Sequence, residues 1–318
     1  MVKLDHEPSA ESRSAAEEDE SPGTWALVVL LAVAAFGVWL GRTVIITAPD
    51  AAPFMARDQA TLELWAGLEG LLCGYGLAAL VTMAYWLRQV LKAFRPVIPR
   101  WGLARWLLVT FLTLTATWLA TADIPAGSVN GTPVHPFSGE IAGLTIAGGV
   151  VAIPGLVGFL ALRSLAREDA HWEQDPRRQA LMVVRLRGQL RRLLGTFGLF
   201  LTLYVVATAA RRQLILSFYQ GVSYPQDYPV LVGLVAAATL GLLHVTATMA
   251  INWRCDRLLD QYAPVPDLRA EDISAPLQRR RDLAALLGAG PSWQETFQSG
   301  LVVLAPLLTA LIGTALPK

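Results

Sequence analysis

Seven stretches of apolar residues, separated by polar connections, run through the chain at about 24–41, 62–86, 102–121, 141–162, 193–210, 229–252 and 299–316. A helix that crosses a bilayer needs roughly 20 mostly apolar residues to cover a hydrocarbon core of about 30 Å. Leu193–Ala210 is the cleanest window: it carries no charge and is fenced by Arg191–Arg192 and Arg211–Arg212. The pattern predicts an all-α integral membrane protein, a bundle of about seven transmembrane helices with amphipathic helices on one side. Two regions follow: a polar tail over 1–23 and a transmembrane domain over 24–318.

The connections differ in charge. Of the 26 Lys and Arg, 18 fall in 87–101, 163–192 and 253–298, and Arg105 adds a nineteenth at the start of the third run. The other three connections hold only Arg42, Arg57, Arg211 and Arg212. Short cytoplasmic loops carry the excess of Lys and Arg in polytopic proteins. The N-terminus and the Arg-rich connections are therefore expected in the cytoplasm. Arg far outnumbers Lys, which occurs only as Lys3, Lys92 and Lys318; together with much Ala, Leu, Gly and Val this suits a GC-rich bacterial genome and a bacterial cytoplasmic membrane.

Residues 1–23 carry seven acids against Lys3 and Arg13. Such a segment buries too little apolar surface to offset its ordering entropy, so it is expected to be disordered. A secretory signal would begin with a basic segment. The first run therefore reads as an anchor that stays in the protein.

Local signals place further helices. Asp175-Pro176 is a helix start, a capping residue followed by proline at the first helical position. Over 177–194, Met182, Val183, Leu186, Leu190, Leu193 and Leu194 share one arc, and Arg177, Arg178, Arg185, Arg187, Arg191 and Arg192 lie opposite, with Leu181 and Val184 as exceptions. Such a helix can lie in the headgroup layer and then turn into the fifth span. Its Arg178, Arg185 and Arg192 are expected to bind anionic lipid of the inner leaflet. Ser274 opens a second helix that Gly288 and Gly290 stop, and Ser292-Trp293-Gln294-Glu295 has capping-box spacing ahead of a last helix containing Pro306. Tyr219, Tyr224 and Tyr228 suit an interfacial aromatic belt.

Charged groups inside apolar spans are costly, about 2.5–3.5 kcal/mol on insertion scales, and often functional. Glu69 lies in the second run, roughly 10 Å from its outer end. His244, Thr248 and Asn252 form a stripe along the sixth run at i, i+4 and i+8. His244 is about 12 Å deeper than Glu69, too far for a direct pair. Thr110, Thr113, Thr117 and Thr121 share a face of the third run, and Thr117 matches Glu69 in depth. Gly70 and Gly74, flanked by Gly67 and Gly76, form a small-xxx-small pair that lets helices approach closely. Pro154 is expected to bend the fourth run. Helix packing is the plain reading of all these polar stripes. A path for an ion or proton is the functional one.

Several chemistries are excluded. There is no HExxH, CxxC or nucleophile elbow, and the four histidines are scattered. Lysine is absent from every run, and no Walker A sequence exists. Cys73 and Cys255 offer neither a disulfide framework nor a metal knuckle. No catalytic residue, metal or cofactor is expected, and no nucleic-acid partner. The expected partners are membrane lipids and a partner subunit or second copy. Two functions fit: a transport or permeation component, and a non-enzymatic adaptor or signalling subunit working through its Arg-rich connections.

The orientation is testable by labelling. Single cysteines placed in 125–135 should react with a membrane-impermeant thiol reagent in intact cells, and those in 170–180 should not. The reverse pattern would overturn it.

Overall fold

The computed structural model describes residues 24–48, 51–94, 128–129, 132–133, 138–167, 176–219, 227–264, 274–288 and 293–315. The fold is helical. Among the described residues there are seven helices: α1 Thr24–Ile46, α2 Ala51–Phe94, α3 Ser138–Arg167, α4 Pro176–Phe218, α5 Tyr228–Tyr262, α6 Ser274–Leu286 and α7 Trp293–Ala315. One short antiparallel ladder joins β1 Ser128–Val129 to β2 Thr132–Pro133, with Ser128 opposite Pro133. Within α2, α4 and α5, the segments Ala51–Tyr85, Arg178–Phe218 and Tyr228–Tyr262 are long and apolar enough to cross a membrane. Large apolar side chains such as Val81, Leu242 and Met249 face outward. That outward face suits hydrocarbon better than water.

Helix α4 is the axis. Its 43 residues run without a break from the basic segment into the apolar one. The expected turn between a surface helix at 177–194 and the fifth span is therefore absent. The apolar arc explains why: Val183, Leu186, Leu190, Leu193 and Leu194 are all buried in the main core. They pack with Phe159, Leu162 and Leu165 of α3 and Leu258 and Leu259 of α5. That face is occupied by protein, so it cannot lie in the headgroup layer. Leu181 and Val184, which broke the arc, are the exposed ones, at 59% and 47%.

Helix ends also lie beyond the apolar runs. Residues 51–57, in the connection between the first two apolar runs, form a first leg of α2. The chain leaves helical geometry at Asp58 (φ −150°, ψ 68°) and starts again. The Asp58 carboxylate accepts a hydrogen bond from the Thr61 N–H at 3.2 Å, as a capping residue does. The first leg is pinned to the end of α4: Phe54 stacks on Phe218 at 3.9 Å and meets Tyr219 edge-on, and the Arg57 guanidinium sits over the Phe218 ring. Tyr219, assigned to an aromatic belt, thus packs partly on protein. At the other end, α5 continues to Tyr262. Helix α6 ends as expected before Gly288, which adopts φ +62°. Helices α3 and α7 contain Pro154 and Pro306 in their interiors.

Helix α1 runs antiparallel to α2 and, among the described helices, packs substantially on α2 alone. Glycines make the seam. A Cβ on Gly41 would lie 2.5 Å from the Gly70 Cα, and one on Gly70 would lie 2.5 Å from the Val38 carbonyl oxygen. Gly37 and Gly74 meet more closely still. Each helix therefore offers a Gly-x-x-x-Gly pair to the other, backbone against backbone. Helix α7 uses the same device: Gly198 of α4 and Gly233 of α5 leave room for Val302 and for Pro306–Ala310.

Gly70→Leu should part α1 from α2, because backbone atoms cannot yield, and should cost at least the 1–3 kcal/mol typical of overpacking. Gly188→Ala and Gly195→Ala, where nothing lies within 4 Å of an added Cβ, should instead stabilise the helix by about 0.5–1 kcal/mol each. Unfolding midpoints in one detergent would measure all three. An undisturbed Gly70→Leu variant would refute the seam.

Candidate functional site

Polar side chains collect at two levels of the bundle. The first is near the end that carries Ile46, Asp58 and Phe218. Glu69 on α2 is 9% exposed. Its carboxylate accepts a hydrogen bond from the Trp65 indole N–H at 3.1 Å, one turn earlier on the same helix. The guanidinium of Arg211 on α4 is close enough for its charge to act on both the Glu69 carboxyl and the Tyr228 hydroxyl. Leu62, Trp65 and Ala66 of α2 pack with Ala210 and Leu214 of α4, which brings these levels together. Nearby, Arg42 of α1 pairs with Glu63 at 3.2 Å, and Gln59 donates to the same carboxylate at 2.7 Å. That pair is exposed, and such pairs contribute about 0.2–1 kcal/mol.

Arg211 is a nearby charge that the apolar runs do not reveal. The fifth apolar run ends at Ala210, which placed Arg211 in a connection. The helix continues to Phe218, so Arg211 lies seven residues inside it. Glu69 likewise lies seven residues inside the second run, counted from Leu62. Only the observed helix end brings the two charges toward one level. Thr117, together with the rest of the threonine stripe, lies outside the described residues.

The second level is the basic end of α4 and α5. His244, Thr248 and Asn252 follow one another along α5, as their spacing requires. Asn252 is engaged: Arg187 of α4 donates to its side-chain oxygen at 2.9 Å and reaches the Cys255 sulfur at 3.4 Å. The Arg187 guanidinium also lies against Gly288, where a Cβ would come within 2.7 Å of Nη1. Gly288 therefore answers two demands, a positive φ and room for a cation. His244 Nδ1 and Thr248 Oγ1 are buried without hydrogen-bond partners. Arg280 of α6 donates to the Ala263 carbonyl at 2.8 Å and pairs with Asp260 at 2.9 Å, which ties α6 to the end of α5. An open groove of about 440 Å³ beside them is lined by Arg254, Arg257, Leu258, Asp260 and Gln261 of α5.

On the exposed side of α4, Arg178, Arg185 and Arg192 follow one another at seven-residue spacing, and all three are exposed. Seven residues are nearly two turns, so they form one stripe about 21 Å long. Among the described residues, no three His, Cys, Asp or Glu side chains converge as metal ligands.

Glu69 and Arg211 should be energetically coupled. Glu69→Ala and Arg211→Ala should each destabilise the protein, and the double variant should be less destabilised than the sum, by about 0.5–3 kcal/mol. Strict additivity in a denaturation series would show that the two charges do not interact.

Comparison with family models, with curated proteins and with solved structures finds no match to this chain.

Proposed function

We propose that the chain is a multi-pass protein of a bacterial cytoplasmic membrane. It has seven spans and a cytoplasmic N-terminus, and it works as a non-enzymatic adaptor or signalling subunit through its Arg-rich cytoplasmic face. One observation carries this reading: the continuity of α4. At about 1.5 Å per residue its 43 residues extend for roughly 65 Å, about twice the hydrocarbon thickness. The basic half is thus a rigid continuation of a spanning helix. Its inner face is held by α3 and α5, and its arginine stripe faces outward. Arg187 and Arg280 hold α6 against the same end. Seven spans rest on the apolar runs, and the orientation rests on the Lys and Arg count. The ligand that suits the stripe is the anionic headgroup of the inner leaflet, to which each Arg contributes about 1 kcal/mol.

A permeation component is the second reading. It is favoured by His244 Nδ1 and Thr248 Oγ1, buried and unpartnered one turn apart in α5, where a water, proton or ion would complete their hydrogen bonding.

One reconstitution tests both. In mixed neutral and anionic vesicles, the anionic lipid retained per protein after detergent extraction should fall several-fold in the Arg185→Gln/Arg192→Gln variant. The neutral lipid retained should be unchanged. Equal retention would end the lipid-binding adaptor reading. In the same vesicles, His244→Ala alters ion flux only if α5 lines a path.

A further inference from the structure

We propose that the acidic N-terminal segment, residues 1–23, folds back onto the arginine stripe of α4 and covers it in competition with anionic lipid. The inference rests on the reading of that stripe as the working surface.

Charge, reach and shape support it. The segment carries seven acids against two bases, four of them contiguous as Glu17-Glu18-Asp19-Glu20. Two arginines of the stripe lack acids: Arg185 and Arg192 are exposed and form no ion pair among the described residues. The acids of 168–175 adjoin Arg177 and Arg178 in sequence, but Arg185 is ten residues beyond Asp175, about 15 Å along the helix.

The level at which the chain enters α1 follows from the packing. Gly37 faces Gly74 and Gly41 faces Gly70, so Thr24 lies level with residue 87 of α2, four residues past Met83. Gly155 of α3 touches both Met83 of α2 and Phe197 of α4, so those two share a level. Arg192 is five residues past Phe197 in the same direction. Thr24 and Arg192 are therefore about 2 Å apart along the bundle axis by this contact, and about 12 Å apart by the hydrogen bond from the Tyr75 hydroxyl to the Thr196 carbonyl. Laterally they are separated by two helix spacings, about 16–20 Å. Glu17–Glu20 precede Thr24 by four to seven residues and reach about 13–23 Å when extended. Asp5, Glu7 and Glu11 reach beyond Arg185. Leu181 and Val184, exposed between the arginines, offer apolar contact to Val2 and Leu4. Tethering raises the local concentration of the segment to about the millimolar range, which no free acidic partner matches without comparable affinity.

The test places a photo-crosslinking benzophenone amino acid at position 181 of the full chain, reconstituted in vesicles. In neutral lipid at about 0.01 M salt, where the Debye length is about 30 Å, the adduct should map to residues 1–23 of the same molecule. It should fall at least fivefold in the Glu17→Gln/Glu18→Gln/Asp19→Asn/Glu20→Gln variant. It should fall equally in Arg185→Gln/Arg192→Gln and at 1 M salt, where the Debye length is about 3 Å. Anionic lipid should exchange the segment adduct for a lipid adduct. No segment adduct, an adduct indifferent to these charges, or one joining two molecules would overturn the proposal. A lipid adduct that depends on Arg185 and Arg192 but not on the segment would overturn it while leaving the adaptor reading intact. A lipid adduct indifferent to those arginines would remove the adaptor reading itself.

Discussion

The constraint on which this architecture depends is the continuity of α4. In an apolar surround every backbone N–H and C=O must be satisfied within its own segment, and an unbroken helix does this without help. Helices α2, α3, α5 and α7 all pack on α4. Its buried side chains change neighbours along its length: Leu186 and Leu190 belong to the core at the basic end, and Ala210 and Leu214 to the cluster around Trp65. A break near residue 192 would uncouple the two. The Tyr75 hydroxyl, donating to the Thr196 carbonyl at 3.1 Å, adds a polar tie near the middle.

Along this axis the close contacts are of different kinds. Glycine seams join α1 to α2 and set α7 into α4 and α5, and they rest on van der Waals contact alone. Cationic ties act at the ends: Arg187 and Arg280 at one, Arg42 at the other. A guanidinium suits these places because its planar fork can address several acceptors at once. Arg187 does so, reaching Asn252, Cys255 and the Gly288 turn together.

Much of the fold was legible because apolar periodicity reports directly on burial. The arc of 177–194 identified the inner face of α4 residue by residue, and its two misfits were the two exposed side chains. The start at Pro176 and the stop at Gly288 followed from backbone chemistry that needs no tertiary context. Helix ends are less legible because charge along the chain reports polarity and not the end of the backbone helix. Arg191–Arg192 and Arg211–Arg212 mark where polarity changes, but a helix stops only where its backbone does. For the same reason the apolar runs do not reveal Arg211 near Glu69. Gly37 and Gly41 were missed for another reason: a glycine pair on one helix is informative only once its counterpart on another is aligned with it. Asp58, which accepts from the Thr61 N–H, is a capping residue inside an Ala-rich connection whose composition does not announce a helix.

The order in which the chain is made gives Trp65 a second role. Helices α1 and α2 are neighbours in sequence, so their seam can close as soon as both have been synthesised. Glu69 is then already placed, but Arg211 follows 142 residues later. At 5–20 residues per second that interval is roughly 7–28 s. Through it, the indole N–H one turn away is a partner that travels with Glu69 and needs no other helix. Trp65 is thus a donor that Glu69 has from the moment α2 forms, before the charge of Arg211 has been translated.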